Sequence, residues 1–155
     1  MVLGTGTEMI YIAHRGLLNG PSKWENSPWA VEEAISECGN AEVDVWMHNN
    51  ELWLGHDKPT HRVPLRFFHD NVNALWIHCK NVQAIEFFNE FHTLWHYFWH
   101  EVDMMTMTSK GFMWVYPGRQ IVRNSIAVLP EVHNDDISRC VGICTDYVIK
   151  YRSEA

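Results

Sequence analysis

The spacing of short apolar runs limits the folds open to this chain. In its second half, five strand-like runs follow one another: Tyr97–His100, Met104–Thr108, Phe112–Tyr116, Ser125–Leu129 and Val141–Val148. A crossover between parallel strands takes about a dozen residues or more and usually forms a helix. The connections after His100, Tyr116 and Leu129 are shorter than that. These strands must therefore be joined by bare loops or by local antiparallel pairing.

The first half of the chain alternates strand and helix patterns. An apolar run at Met9–Ala13 predicts a strand, and residues 28–38 carry apolar side chains at helical spacing before Gly39 ends the pattern. Polar and apolar residues alternate over Ala41–Met47, and a turn then leads into a short strand at Glu51–Gly55. This order predicts α/β architecture with parallel strands in the first half.

The middle of the chain is less regular. Residues 58–73 are polar and contain Pro59 and Pro64, which predicts a loop with at most one short helical turn. Leu75–Cys79 then predicts a strand, and Asn81–Phe91 predicts a helix with apolar residues three positions apart. The strand–helix order of the first segment is thus repeated once.

The composition excludes several classes of protein. Of the 155 residues, 46% are hydrophobic and 20% charged, which predicts one globular domain over residues 1–155 with its own core. The formal net charge of −7 opposes binding to nucleic acid, because such binding depends on Lys and Arg that neutralise phosphates. No apolar run approaches the roughly 18 residues of a membrane helix, and residues 1–8 carry no targeting signal. We therefore expect a cytoplasmic, soluble protein without integral membrane contact.

Several predicted strands end in polar residues that can do chemistry. His14 and Arg15 follow the first strand, and His56 follows the short hairpin. Glu42 and Asp44 lie two positions apart on one strand, so both carboxylates face the same way, about 6–7 Å apart. A hard divalent cation between them would offset their repulsion. Histidine titrates near neutral pH, so the two imidazoles are suited to act as acid and base.

These residues, in this order, resemble the glycerophosphodiester phosphodiesterase family, within the wider phosphatidylinositol-phospholipase-C-like superfamily. The resemblance is specific over residues 10–57 and looser as far as Tyr147. Its motifs are His14-Arg15-Gly16, Glu25-Asn26, Glu42-x-Asp44, His56-Asp57, Lys80 and Gly142-Ile143-Cys144-Thr145-Asp146-Tyr147.

The resemblance implies a TIM-type (β/α) barrel whose active site lies at the carboxyl ends of its strands. It implies that Glu42 and Asp44 bind one divalent metal ion, Mg²⁺ or Ca²⁺, and that His14 and His56 form an acid–base pair. One histidine would deprotonate water or a neighbouring hydroxyl of the substrate, while the other protonates the leaving alkoxide. The metal ion would neutralise charge on the phosphoryl oxygens.

Other residues of these motifs are implied to support the substrate or the site. Arg15 and Lys80 would bind the substrate phosphate, Arg15 through its planar fork of donors. Glu25, Asn26 and Asp57 would hold the residues that touch the metal ion or the substrate.

The sequence departs from the family pattern at two points. Two residues before the lysine of the third strand, where the family has a Glu, this chain has His78. Histidine favours Mn²⁺ or Zn²⁺ over Ca²⁺. Either His78 is a ligand with a shifted metal preference, or a carboxylate such as Glu101 replaces it, or metal binding is weakened. Barrels of this type have about 250 residues, so 155 residues predict a pared-down TIM-type barrel with few covering helices in its C-terminal half.

Three functions are open at this point. The first is metal-dependent hydrolysis of a small phosphodiester of the glycerophosphodiester type, as in lipid metabolism. The second is a non-catalytic phospho-ligand binding module on the same fold, and the third is a phospholipase D-like lyase that makes a cyclic phosphate. The alcohol is unspecified, although Trp53 and Trp114 are candidates to stack on a sugar or cap a choline. Both a monomer and a homodimer are compatible with the sequence.

Overall fold

The computed structural model describes residues 8–155. The prediction that residues 1–8 carry no targeting signal therefore falls almost entirely outside the described residues. The described residues form ten strands and four α-helices. The strands are β1 (Ile10–His14), β2 (Ala41–His48), β3 (Glu51–Leu54), β4 (His61–Val63), β5 (Leu75–Cys79), β6 (Tyr97–Trp99), β7 (Met105–Met107), β8 (Met113–Val115), β9 (Ser125–Val128) and β10 (Gly142–Thr145). The helices are α1 (Pro28–Cys38), α2 (Leu65–Asp70), α3 (Val82–Glu90) and α4 (Val148–Ser153), and a 3₁₀ turn covers Pro130–Val132.

Most of the strands run parallel in one sheet. In spatial order the parallel strands are β6, β5, β2, β1, β10, β9 and β8. Three pairings are antiparallel: β7 pairs with β8 at one edge, and β3 and β4 extend from the carboxyl end of β2 as a meander. The sheet of the described residues is therefore mixed.

The expectation of a pared-down TIM-type (β/α) barrel is wrong. Helices lie between parallel neighbours only in the first half, as α1 does between β1 and β2 and α3 between β5 and β6. Loops join β8 to β9 and β9 to β10, with one short 3₁₀ turn in the second loop. Within residues 8–155 the edge strands β6 and β7 form no backbone pairing with each other, so the sheet does not close into a barrel. The chain is a mixed α/β protein with a curled sheet, because its later connections are too short for alternating helices.

The local patterns of the first half correctly predict helices α1 and α3 and the strands that flank them. Helix α1 ends at Cys38, and Gly39 follows it in the left-handed conformation. Helix α3 begins after Asn81, whose side chain accepts a hydrogen bond from the Ala84 N–H. Segment 58–73, predicted as a loop with a short helical turn, holds the six-residue helix α2 and the unpredicted strand β4. Strand β4 has only three residues, which is too few to show an alternating pattern. The run predicted as a strand over 141–148 ends at Thr145, and α4 follows it.

Helices α1 and α3 cover the outer face of the sheet. Val31 of α1 and Phe88 of α3 are buried in one apolar cluster with Val43 and Val45 of β2. Removing such side chains from water is the main stabilising contribution to a domain of this size. None of the helices in residues 8–155 has both the length and the hydropathy needed to cross a membrane.

Aromatic side chains inside the curl bring distant strands together. Phe98 of β6 and Trp114 of β8 belong to opposite ends of the parallel array, yet their ring centroids are 4.8 Å apart. Trp76 of β5 lies 5.7 Å from Trp114. These contacts require the sheet to curl, and the rings fill its inside with apolar surface.

Several strands end in, or are directly followed by, a polar residue two positions after a buried apolar one. His14 follows Ile12 on β1, and His78 follows Trp76 on β5. The same spacing recurs in Phe98 and His100, Trp114 and Tyr116, and Cys144 and Asp146. Side chains two apart on a strand face the same way, so the polar residues form a layer above the apolar one, at the carboxyl ends of the parallel strands.

Candidate metal centre and its pocket

Three metal-ligating side chains meet at the carboxyl end of the sheet. Glu42 and Asp44 come from β2, and His78 comes from the parallel strand β5, where it lies in register with Asp44. His78 Nδ1 lies 3.2 Å from Asp44 Oδ1 and 4.0 Å from Glu42 Oε1. One ligand atom from each residue lies within 4.8 Å of the others. This largely buried group can hold a metal ion.

The hydrogen bond made by Nε2 of His78 determines whether Nδ1 of the same ring is a donor or an acceptor. Nε2 lies 3.2 Å from the carbonyl oxygen of His100, so Nε2 carries a proton and donates it to that oxygen. In the neutral ring Nδ1 is then an acceptor, and it faces the acceptor Oδ1 of Asp44. Two acceptors this close require a proton or a cation between them. A backbone carbonyl behind a ligating histidine is a usual support in metal sites, so the donor set fits a divalent cation.

The two carboxyl groups have pKa values shifted in opposite directions. Glu42 is 2% exposed and Asp44 1%. Burial, followed by the charge of Asp44, raises the pKa of Glu42. Burial acts in the same sense on Asp44, but its contacts with His56, His78 and Asn26 outweigh burial and hold the pKa of Asp44 well below its ordinary value. A cation bound to both groups would favour full ionisation of the pair.

Arg15 enters the site because of its backbone conformation. Its φ is 53°, in the left-handed region, and Gly16 follows at a φ of 75°. A Cβ at Gly16 would lie 2.9 Å from the backbone of Val31 in α1, so only glycine fits this close approach. The turn brings the backbone N–H of Arg15 to Oε2 of Glu42, at 3.2 Å.

The guanidinium of Arg15 is held on three sides. Nη1 donates to Glu25 Oε2 at 2.7 Å, and Nη2 donates to His56 Nδ1 at 2.8 Å. Nε lies 3.3 Å from Asp44 Oδ2. Asn26 holds Asp44 in turn, because its Nδ2 donates to Oδ2 and its Oδ1 accepts from the Asp44 N–H, both at 3.0 Å. Glu25 therefore orients Arg15, and Asn26 orients Asp44.

The carboxylate of Asp146, for which the sequence predicted no role, holds the ring of His14. Its Nδ1 lies 2.7 Å from Oδ1 of Asp146, and its Nε2 lies 3.8 Å from Oε2 of Glu42. Burial lowers the pKa of His14, but the hydrogen bond with Asp146 and the charge of Glu42 outweigh burial and raise it. Asp146 is positioned by Glu131, whose Oε1 accepts from the Asp146 N–H at 3.3 Å.

A pocket of about 270 Å³ opens over these groups. Its polar wall consists of His14, Arg15, Glu42, Asp44, His56 and His78. Its apolar wall consists of Trp114, Tyr116, Pro117, Val128 and Leu129. The most open of the polar side chains is His56, which is 37% exposed. The pocket therefore combines a cation site, a fixed positive charge and two imidazoles beside an apolar surface.

Two residues expected in the site lie outside this pocket. The Lys80 N–H donates to the carbonyl of Val45, and the Lys80 side chain is not part of the pocket wall. The side chain of Asp57 is 93% exposed, and its Oδ1 is 3.7 Å from Nε2 of His56. The alternative ligand Glu101 is exposed in the loop after β6. Of the three readings of the third ligand position, the geometry favours His78.

Asp146, Tyr116 and Leu129 contribute to the site without having been predicted from the sequence. Tyr116 had a readable signal, since it follows the buried Trp114 by two positions at a strand end, as His14 follows Ile12. Asp146 belongs to the motif Gly142–Tyr147, but 132 residues separate it from His14, so the sequence did not indicate that the two side chains meet. Leu129 had none, because it lines the pocket from a left-handed turn with a φ of 44°.

Comparisons with protein-family models, with curated proteins and with solved structures find no match to this chain. The resemblance to glycerophosphodiester phosphodiesterases therefore stays a prediction. The chemistry of the pocket is the ground for a functional proposal.

Proposed function

We propose that this protein is a metal-dependent phosphodiesterase, a phosphoric diester hydrolase that cleaves a small phosphodiester of the glycerophosphodiester type. One observation carries the proposal: a three-residue metal group, an arginine and two histidines share one pocket. Hydrolysis of a phosphodiester needs positive charge near the phosphoryl oxygens and proton-transfer groups on either side of the phosphorus. These are the groups that the pocket supplies.

Glu42, Asp44 and His78 are the residues that would hold the metal ion. A bound divalent ion supplies charge neutralisation at the phosphoryl oxygens. Two carboxylates suit Mg²⁺ or Ca²⁺, and the imidazole extends the choice to Mn²⁺ or Zn²⁺. The hydrogen bond from His78 to the His100 carbonyl keeps its Nδ1 directed at the two carboxylates.

Arg15 binds the phosphate of the substrate. Its guanidinium lines the pocket and is fixed by Glu25 and Asp44, so its charge is in place before the substrate arrives. A planar guanidinium is suited to two phosphate oxygens at once. This fixed geometry reduces the entropy lost on binding.

His14 and His56 transfer the two protons of the reaction. Asp146 holds Nδ1 of His14, and Arg15 holds Nδ1 of His56, so in both imidazoles Nε2 is the nitrogen left for proton transfer. One imidazole removes a proton from water or from a substrate hydroxyl as the new P–O bond forms. The other gives a proton to the alkoxide as the old P–O bond breaks.

An assay of phosphodiesters with separate metal ions tests the proposal. The substrates are bis(p-nitrophenyl) phosphate, glycerophosphocholine and glycerophosphoinositol, each with Mg²⁺, Ca²⁺, Mn²⁺, Zn²⁺ or a chelator. We expect release of the alcohol with at least one ion and none with the chelator. His14→Ala and Asp44→Asn should each lower kcat about 100-fold or more, while His92→Ala, an exposed histidine after α3, should keep full activity.

Undiminished turnover in His14→Ala or in the chelator would contradict the proposal. Binding of a phosphodiester without turnover under any ion would instead favour a non-catalytic binding module. Product analysis in ¹⁸O-labelled water separates hydrolysis, which incorporates the label, from formation of a cyclic phosphate, which does not.

A further inference from the structure

A second pocket, which shares no wall residue with the first, lies at the carboxyl end of β2 and contains two tryptophans. Its volume is about 440 Å³, and its wall consists of Trp46, His48, Asn49, Trp53, Pro59 and Asn81. Trp46 comes two residues after Asp44 on β2, so its side chain lies on the same face, about 6–7 Å further along. Its Nε1 donates to the carbonyl of Gly55 at 2.6 Å, immediately before His56. The tryptophan pocket therefore adjoins the proposed active site.

The two indoles of the tryptophan pocket face open space. Trp46 and Trp53 are direct cross-strand partners in the antiparallel pair of β2 and β3. The Cβ atoms of such partners are only about 5 Å apart, yet the aromatic contacts of the described residues do not join these two rings. Trp53 instead contacts the His48 ring edge-on, with centroids 6.4 Å apart. Both indoles are partly exposed and line the same cavity.

Among the residues that the structure describes, the wall of the tryptophan pocket contains no acidic side chain, lysine or arginine. Its exposed polar groups are the imidazole of His48 and the amide of Asn49, whose Nδ2 donates to His48 Nε2 at 3.3 Å and whose oxygen stays open. The amide of Asn81 is already used, because it bonds to the backbone of Met47 and Ala84. Aromatic faces beside neutral polar groups suit a ring with C–H faces and hydroxyl edges. A cation would find no carboxylate in this wall.

The indole N–H of Trp53 favours a ligand that carries oxygen. Its Nε1 is buried and has no hydrogen-bond partner among the described residues. Buried donors are nearly always paired in proteins. A small turn of the side chain toward a bound hydroxyl oxygen would pair this one, whereas a quaternary ammonium group offers no acceptor.

We infer that the tryptophan pocket binds a neutral polyhydroxylated ring, a pyranose or a cyclitol, as the alcohol part of the phosphodiester. The ring lies against Trp46 and Trp53, and the phosphate points toward Arg15. The link to a phosphodiester rests on the proposed function, but binding of the ring does not.

Titration of the wild-type protein with phosphate-free probes tests ring binding directly. The probes are methyl α-glucopyranoside, myo-inositol and tetramethylammonium chloride, each at millimolar concentrations. The readout is the set of indole N–H signals in ¹H–¹⁵N spectra, assigned with Trp46→Phe and Trp53→Phe. We expect saturable shifts of the Trp46 and Trp53 signals with at least one of the two ring probes and none with tetramethylammonium. Trp53→Phe removes the N–H and should weaken ring binding roughly 5- to 10-fold.

Trp29→Phe is the matched control, because Trp29 is 53% exposed on α1 and lies outside the pocket wall. It should bind the ring probes as the wild type does. The inference is overturned if neither ring probe shifts the two signals, or if tetramethylammonium shifts them as strongly. It is also overturned if both Trp46→Phe and Trp53→Phe bind the rings with unchanged affinity.

A kinetic comparison separates this inference from the proposed function. With a phosphodiester of myo-inositol, Trp53→Phe should raise KM roughly 5- to 10-fold, and with methyl p-nitrophenyl phosphate it should leave KM unchanged. Ring binding without turnover of any phosphodiester would support ring binding by the tryptophan pocket and contradict the proposed phosphodiesterase function. Turnover of methyl p-nitrophenyl phosphate without ring binding would support the phosphodiesterase function and contradict ring binding by the tryptophan pocket.

Discussion

His96 is 6% exposed, its ring centroid lies 4.1 Å from that of Trp76, and its Nε2 lies 2.7 Å from the Thr108 hydroxyl. Burial, followed by the charge of Lys110, lowers the pKa of His96 to about 4. An unperturbed histidine titrates near 6.5. Between these two values the unfolded chain binds a proton that the folded protein does not.

This difference predicts that acid destabilises the protein through His96. Above a pH of about 6.5 neither state is protonated there, and stability is unaffected; as the pH falls toward 4, protonation favours the unfolded state, by about 2 kcal/mol at pH 5. Urea unfolding at pH 7 and pH 5 measures the loss. His96→Gln should lack this part of the loss, and the exposed His92→Gln should retain it. An equal loss in His96→Gln would show that another group is responsible.

Two other histidines depend on partners that are distant along the chain. His14 and His78 were predicted from their positions at strand ends, with roles that follow from the resemblance. Their hydrogen-bond partners, Asp146 and the carbonyl of His100, were not predicted. Each partner comes from the end of a different strand, so its distance depends on how the sheet is ordered and curled.

At the scale of elements, β2 contributes most to both sites. Its alternation places Glu42, Asp44 and Trp46 on the inner face, while Val43 and Val45 pack in the outer core. This division was predicted from the sequence because a strand has a strict period of two. A shift of one residue in its pairing would exchange the two faces.

The end of α1 yields a prediction about backbone conformation. Gly39 has a φ of 90° and a ψ of −20°, and a Cβ there would meet no atom within 4 Å. Gly39→Ala therefore tests the conformation without a steric clash, and should lower the free energy of unfolding by about 1–2 kcal/mol. Gly39→Asn should lower it less, because asparagine tolerates the left-handed region. Thermal or urea unfolding of the three proteins gives the order, and an alanine variant as stable as the wild type would contradict it.

In the molecule as a whole, the candidate metal centre joins parts of the sheet that are far apart in sequence. Glu42 and Asp44 of β2 face His78 of β5, and His14 of β1 reaches Asp146 beside β10. A ligand that binds only to this assembled arrangement stabilises the folded state by mass action. A bound cation would also relieve the repulsion between the two buried carboxylates.

A divalent ion should therefore raise the melting temperature. At 100 times its dissociation constant an ion adds about 2.7 kcal/mol, which corresponds to roughly 5–10 °C for a protein of this size. Differential scanning fluorimetry with Mn²⁺, Mg²⁺ or a chelator measures the shift. Asp44→Asn should abolish it, and Asp136→Asn, at a carboxylate outside the site, should leave it unchanged. A rise of the same size in Asp44→Asn would place the bound ion elsewhere.

The features that the sequence alone predicts correctly are local. The bounds of α1 and α3, the face of β2 that carries Glu42 and Asp44, and the polar residues His14 and His56 at or just after strand ends follow from caps, periodicity and turns. These signals act over a few residues, so they can be read without knowledge of the rest of the chain.

The fold class and the hydrogen-bond partners within the site depend on contacts between distant parts of the chain. Phe98 meets Trp114 because the sheet curls, and the short later connections carry no alternating helices, so the expected TIM-type barrel does not form. Asp146 reaches His14 across 132 residues because β10 pairs with β1. Strand order and curl arise from the packing of many side chains at once, and no local pattern in the sequence contains them.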